Sequence, residues 1–457
     1  MLKQQFTCQG SLGPSVRVAA VYLNKPFRTR APIHRESSRL PASKLSFPTR
    51  AKPTSTVCAA AKGSSQIKSS THSTKTGATE PTELRVLHPQ IEARVTGKLK
   101  VSPLHSVHFE VYGNPAGIPV IVVHGGPGAG CFKNHARFFD PTQYRIILLD
   151  QRGCGRSTPL GCLEENTTQA LVEDMEQIRE HLEVDRWVLF GGSWGVALSL
   201  VYAQTHPDRV RGIILRGICL MRPQEIGWVY RPGGASKLVP AAFKAYLQAV
   251  GHAGEGDDRD VIELYHEQLT SPDSATRSRA AGSWHSLGGA VSRLTSASNV
   301  VQSWDGEGWR IRPHVEEKAP HSADRASASE QTQQSAKSSE PRNPSPSGAK
   351  RATQEIKAVP MSTFTAQALL ECHYCLHDAF LANTPILQGI DQIRHIPTIA
   401  VHGRLDFICP ACTIWELHEA WPEAEVHVVG GAGHSMYDSL ITHELINATE
   451  RMKTKAT

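Results

Sequence analysis

Residues 188–197 read Val188-Leu-Phe-Gly-Gly-Ser-Trp-Gly-Val-Ala197. Three apolar residues suited to a strand run into Gly191-Gly192-Ser193-Trp194-Gly195, after which the pattern becomes helical. This is G-x-S-x-G placed between a strand and a helix. In such a turn the serine takes a strained backbone conformation, and glycines two residues either side let strand and helix approach closely. The hydroxyl is then presented at a helix N-terminus, where partial positive charge favours a developing anion.

Working outward, two short apolar runs precede this stretch, Pro119–Val123 and Tyr144–Leu149. Each ends in a glycine-rich turn, HGGPGAG (124–130) and DQRGCGRS (150–157). A helix is expected over Thr168–Leu182, with Leu171, Met175, Ile178 and Leu182 on one stripe. Strands follow at Trp187–Phe190 and Gly212–Leu215, with a helix between them stopped near His206-Pro207. The order returns near the C-terminus: strand Thr398–Val401, helix 411–420, strand Glu425–Val429, helix 439–453. Continuous apolar strands interleaved with helices indicate an α/β class with a mostly parallel sheet covered on both faces. Residues 221–385 instead carry helical patterns at 240–250, 259–269, 272–287 and 362–381, with Ser271-Pro272 expected to start the third. A helical insertion between two sheet halves is expected to form a lid over the sheet's carboxyl edge, where ligands bind.

Two segments stand apart in composition. Residues 1–79 hold 13 Lys and Arg but a single acidic residue, Glu36, and are rich in Ser, Thr, Pro and Ala. They read as an organellar transit peptide, and Thr56-Val-Cys-Ala-Ala-Ala61 favours the chloroplast, with mitochondrion or cytoplasm as alternatives. A basic tail retained on the chain is the other reading. This segment carries +12 of a total formal charge of +6, so residues 80–457 sum to −6. The basic balance therefore gives no reason to expect a nucleic-acid partner. No apolar run nears the roughly 18 residues of a membrane span, so no membrane partner is expected. Residues 316–355 contain no Val, Ile, Leu, Met, Phe, Trp, Tyr or Cys and are expected to be a disordered insertion. The expected layout is thus 1–79 targeting segment, 85–220 first core part, 221–385 helical lid with its insertion, and 386–457 second core part.

Two partners for Ser193 lie downstream, each just past a strand: Asp406 in HGRLD and His434 in GAGHS. The order Ser193, Asp406, His434 resembles that of the α/β-hydrolase fold. An acyl-transfer serine also needs oxyanion donors, expected from the N–H of Trp194 and from the HGGPG turn at Gly126. A dinucleotide fingerprint in HGGPGAG fails on spacing.

With HGGPGAG, RFFDP (137–141), YRIILLDQRGCGRSTP (144–159), GGSWG, YAQTHPDRV (202–210), LRGI (215–218), HGRLD and GAGHS together, the chain resembles the proline iminopeptidases over about 95–300 and 360–440. That resemblance implies a serine exopeptidase releasing N-terminal proline from short peptides, with no metal and no cofactor. It implies Ser193 as nucleophile, His434 as proton shuttle and Asp406 as its orienting group. Glu371 would face the substrate's charged N-terminus, Arg216 would partner lid carboxylates, and Trp228 would wall the ring pocket. The chain departs from the family pattern Trp-x-x-Trp-Glu-Gly-Ala at Trp284-His-Ser-Leu-Gly-Gly-Ala290, where Leu287 and Gly288 replace an aromatic and a carboxylate. The departure keeps a less selective aminopeptidase or a carboxylesterase as the alternative activity. Finally, Cys372-x-x-Cys375 and Cys409-x-x-Cys412 raise a zinc-site or dithiol reading, against which buried free thiols are the favoured expectation.

Overall fold

The computed structural model describes residues 83–294, 300–304, 309–313, 361–383 and 385–455, with backbone alone at 300–304 and 309–313. The basic segment 1–79 and the insertion 316–355 lie outside the described residues. Among the described residues ten strands occur in chain order: β1 (Val95–Lys100), β2 (Ser106–Gly113), β3 (Ile118–Val123), β4 (Tyr144–Asp150), β5 (Trp187–Ser193), β6 (Val210–Ile218), β7 (Val300–Trp304), β8 (Trp309–Pro313), β9 (Thr398–Gly403) and β10 (Glu425–Val429). The helices are α1 (Thr168–His181), α2 (Trp194–Thr205), α3 (Pro223–Tyr230), α4 (Pro240–Ala249), α5 (Val261–Leu269), α6 (Ser274–Ser292), α7 (Thr363–Leu376), α8 (Cys412–Ala420) and α9 (Ser439–Lys455).

Eight strands make one sheet in the order β1-β2-β4-β3-β5-β6-β9-β10. β1, β2 and β4 pair antiparallel, and every other neighbouring pair is parallel. The central strands are apolar without alternation because both faces are covered. Ile121, Ile147 and Leu189 enter one apolar cluster with α1 and α2, while Val122, Ile146, Val188 and Phe190 enter another with α9. Helix α9 is anchored to the second face by Tyr144 Oη donating to Thr449 O (2.6 Å) and Thr449 Oγ1 donating to Phe138 O (3.0 Å).

Some elements differ from expectation. β1 and β2 were not anticipated: β1 is a half-exposed edge strand whose Lys and Thr hide the apolar alternation. Helix α3 and the β7–β8 hairpin were also unforeseen. α6 is started by Asp273, not by Ser271-Pro272; the Asp273 carboxylate accepts from Ala275 N and Thr276 N (3.2 and 3.0 Å). α7 ends at Leu376, five residues early, and Asp378, Ala379 and Phe380 then all take positive φ. Between β6 and β9 the chain runs through α3–α7, and α4, α5, α6 and α7 pack on one another.

The DQRG turn after β4 is tied to α1 by a bidentate ion pair, Arg152 Nε–Asp174 Oδ2 and Nη2–Oδ1, both 2.7 Å. The two side chains are only 4% and 2% exposed. Removing one partner strands the other charge away from water. Arg152→Met is therefore expected to lower unfolding stability by about 3–5 kcal/mol in urea titration; a loss under about 1 kcal/mol, the range of exposed pairs, would show that water reaches Asp174.

Candidate active site

β5 stops at Ser193 and α2 starts at Trp194, with no loop between them. Ser193 carries φ +57° and ψ −126°, a conformation that L-residues rarely adopt. The flanking glycines are required sterically. A Cβ on Gly195 would collide with Val123 O, and one on Gly191 would collide with Gly195 O and come within 2.5 Å of Ser199 Oγ. The serine thus stands at the first turn of α2, whose N–H groups have no intrahelical partner.

Asp406 lies three residues past β9 and is buried. Its Oδ1 accepts from Ile408 N (3.0 Å) and Cys409 N (2.8 Å), and its Oδ2 accepts from His434 Nδ1 (2.7 Å). Burial alone would raise its pKa, but the adjacent His434, the neighbouring His402 and the Cys409 N–H together hold it below the ordinary carboxylate value. His434 follows β10 on a loop that packs against the end of β9. Gly403 makes this possible, since a Cβ there would meet the Ala432 and Gly433 carbonyls.

Arg216 sits opposite Gly192 in the β5–β6 ladder. It was expected to partner carboxylates of the helical segment; among the described residues no carboxylate pairs with it. Instead Nη1 donates to His434 O (2.9 Å) and lies 3.3 Å from His434 Nε2. Because Nδ1 gives its proton to Asp406, Nε2 is the acceptor in this contact, and Arg216 occupies its lone pair. Burial draws the Arg216 pKa down from its ordinary value, with the Asp406 charge opposing.

Ser193, His434, Arg216 and Glu371 all open into one cavity of about 360 Å³. Glu371 on α7 is nearly buried and doubly held, with Trp284 Nε1 donating to Oε2 and Gln367 Nε2 to Oε1, both 2.8 Å. Gly126 and Gly125 line the same cavity. Gly125, which was not singled out from the sequence, is the residue of the HGGPG turn that touches the nucleophile, since a Cβ there would lie 3.1 Å from Ser193 Cβ.

Two expectations about the pocket, for Trp228 and for Leu287, need correction. Trp228 does not line the cavity: its indole N–H donates to Phe407 O (2.8 Å), bracing the chain next to Asp406. The aromatic wall comes from Tyr230, two residues on, stacked on Trp284 at 4.2 Å and 17°. Leu287 is fully buried in the apolar core and does not line the cavity. Only Gly288 faces the cavity, with no atom within 4 Å of where its Cβ would be.

The cysteines do not assemble into a two-pair metal site. Cys372 and Cys375 are buried on α7, Cys372 donating to Ile262 O (3.4 Å), whereas Cys412 is exposed at the start of α8. Among the described residues, metal-type ligands gather only at Asp406, Cys409 and His434, with ligand atoms within 4.8 Å of one another. There both carboxylate oxygens are already engaged by N–H donors. The Cys409 thiol, hydrogen-bonded to Cys219 and buried, has its pKa pushed well up, which disfavours the thiolate a metal would need. The arrangement serves the histidine better than it serves an ion.

Gly217 is a further site residue invisible to motif reading. The β5–β6 register skips from Gly192↔Arg216 to Ser193↔Ile218, leaving Gly217 as a bulge at φ +60°. A Cβ there would sit 3.2 Å from His434 Cε1 and 3.4 Å from Asp406 Oδ2. Gly217→Ala is expected to cut kcat by about tenfold or more with KM little changed, because the pair is displaced by a few tenths of an ångström. Steady-state kinetics on the purified variant test this; an unchanged kcat would mean that the His434 loop yields freely.

A family model described as alpha/beta hydrolase fold matches residues 118–439. A probable proline iminopeptidase of Leptolyngbya boryana is 41% identical over 375 residues, covering 82% of this chain and 99% of that protein. The proline iminopeptidase of Arabidopsis thaliana is 38% identical, covering 81% and 82%, and that of Neisseria gonorrhoeae 37%, covering 78% and 95%. Among solved structures, a proline iminopeptidase of Mycobacterium smegmatis aligns at 15% identity and a TM-score of 0.42, over 79% of this chain and all of that one. The chain belongs to the α/β hydrolase fold family and, within it, to the proline iminopeptidases.

Proposed function

We propose that the protein is a serine exopeptidase that removes proline from the N-terminus of short peptides. The observation that carries this reading is the opening of Ser193, His434 and Glu371 into a single cavity. Substrate binding releases His434 Nε2 from Arg216, and the imidazole takes the Ser193 proton as the hydroxyl attacks the prolyl carbonyl. Asp406 keeps the Nδ1–H tautomer and stabilises the imidazolium. The tetrahedral oxyanion is met by the N–H groups of Trp194 and Gly126. His434 then protonates the leaving amine, and water attack on the prolyl ester returns the enzyme. No step calls on a metal or a cofactor.

Selection for a free N-terminal proline divides between two features. Tyr230 and Trp284 offer a flat apolar wall to the pyrrolidine ring. Glu371 offers two carboxylate oxygens, each fixed by one donor and each with a lone pair left for the substrate's ammonium. The carboxylesterase alternative gains nothing from this arrangement, since a neutral ester has no use for a buried carboxylate.

Turnover of Pro-, Ala- and Leu-naphthylamides by the purified protein tests the reading. Pro is expected to be preferred, and Ser193→Ala to reduce kcat at least about 10⁴-fold. Glu371→Gln is expected to lower kcat/KM for the prolyl substrate by roughly 10–100-fold, the worth of a charge-assisted hydrogen bond. Gly288→Glu, which the open space admits, is expected to raise the preference for Pro. A flat profile across the three amides, unaffected by Glu371→Gln, would sink the proposal.

The basic, hydroxyl-rich N-terminus supports import into a plastid. A fluorescent reporter fused behind residues 1–79 is expected to accumulate in chloroplasts; cytosolic or mitochondrial signal would overturn that reading.

A further inference from the structure

We infer that Gln151 is a positioning residue that holds the two halves of the oxyanion site in register. The inference rests on the serine-peptidase reading above. The two donors come from separate elements: Gly126 from the turn after β3, Trp194 from the start of α2 after β5. Gln151 belongs to neither. It follows the last residue of β4, which flanks β3 on the side away from β5, and its buried side chain reaches across the end of β3 to both.

Each of its bonds has a forced direction. The Trp194 indole Nε1–H can only donate, and it donates to Gln151 Oε1 at 2.9 Å. The His124 carbonyl can only accept, and it accepts from Gln151 Nε2 at 3.0 Å. The amide therefore cannot flip. Its oxygen is committed to the elbow and its nitrogen to the turn. The Gln151 backbone N–H also donates to His124 Nε2 (3.1 Å), which leaves the neutral ring's proton on Nδ1, where the Gly125 carbonyl at 2.9 Å is nearer than the Gly130 N at 3.3 Å. Burial lowers the His124 pKa and keeps that ring neutral. Through these three bonds one residue fixes the His124 carbonyl, the His124 ring that in turn holds the Gly125 carbonyl just before the Gly126 N–H, and the indole of the residue that supplies the second donor.

Among common side chains only a primary amide of this length offers one donor and one acceptor in these places. Glutamate keeps the acceptor but sets a carboxylate oxygen against the His124 carbonyl. Methionine keeps the volume and loses both bonds. Neither change touches Glu371, Tyr230 or Trp284, so ground-state binding of the prolyl group should persist while stabilisation of the oxyanion is lost.

The test uses Gln151→Glu and Gln151→Met in the full chain, with prolinal and prolinol as paired inhibitors. Prolinal adds to the serine and places an oxyanion in the site; prolinol binds the same pocket without one. Both variants are expected to lose about 10–100-fold in kcat with KM within about twofold, short of removing a donor outright. Prolinal affinity should fall in step with kcat/KM and prolinol affinity should hold. Equal weakening of both inhibitors, or unchanged kcat, would overturn the proposal. Trp194→Phe, which keeps the backbone donor and removes only the indole bond, is expected to show a smaller loss with the same split between the two inhibitors. It covers the case in which the Gln151 variants do not fold, and loss of both affinities there would count against the inference. Ser193→Ala separates the two levels: turnover surviving in that variant would remove the serine reading itself, whereas turnover lost there with wild-type kinetics in Gln151→Glu would remove only the role of Gln151.

Discussion

The site depends on one contact, the approach of helix α2 to the end of strand β3. At Gly195 the helix backbone lies so near Val123 O that a single methyl group has no place. That closeness forces the chain to turn from β5 into α2 within one residue, and Ser193 absorbs the turn at positive φ, at a cost of about 1–3 kcal/mol. The cost is carried by the burial around it. Val188, Leu189, Trp194 and Val196 are all buried in the two apolar clusters on either side of the sheet. A glycine requirement, a strained serine and apolar central strands are thus one feature seen at three scales.

The remaining functional groups are delivered to the same edge by the same parallel topology. Strands β3, β5, β6, β9 and β10 all end there, so the turns after them converge without long connections. Each arrival is made possible by a missing side chain: Gly125 against Ser193, Gly217 against the Asp406–His434 pair, Gly403 against the His434 loop. Burial and hydrogen bonding then set the charges. Asp406 remains ionised because its oxygens face N–H groups, and Glu371 is held by two donors from α6 and α7.

Much of this was legible in the sequence, and for a physical reason. Turns at the end of parallel strands demand glycine and place chemistry at fixed offsets, so Ser193, Asp406 and His434 could be read from local pattern, as could the central strands. What was not legible depends on packing between distant segments. Trp228 and Tyr230 are two residues apart on α3, and only the position of α6 decides that Tyr230 faces the cavity. Leu287 and Gly288 are adjacent, yet one turns into the helical core and the other into the pocket. Arg216 looked like a carboxylate partner by analogy, and its contact with His434 follows from a bulge at Gly217 that no pattern announces.

The replacement of a family carboxylate by Gly288 has an electrostatic consequence that reaches beyond the space it leaves. Among the described residues the cavity wall carries one guanidinium, Arg216, and one carboxylate, Glu371, beside His434. Arg216, which pairs with no carboxylate among the described residues, meets both the backbone carbonyl and Nε2 of His434. Glu371 is then the acidic side chain on the cavity wall, and Trp284 and Gln367 hold its orientation. Trp284 is then committed twice, by its ring to Tyr230 and by its N–H to Glu371. The aromatic wall and the carboxylate are coupled through that one indole, so a change that loosens the first also loosens the second.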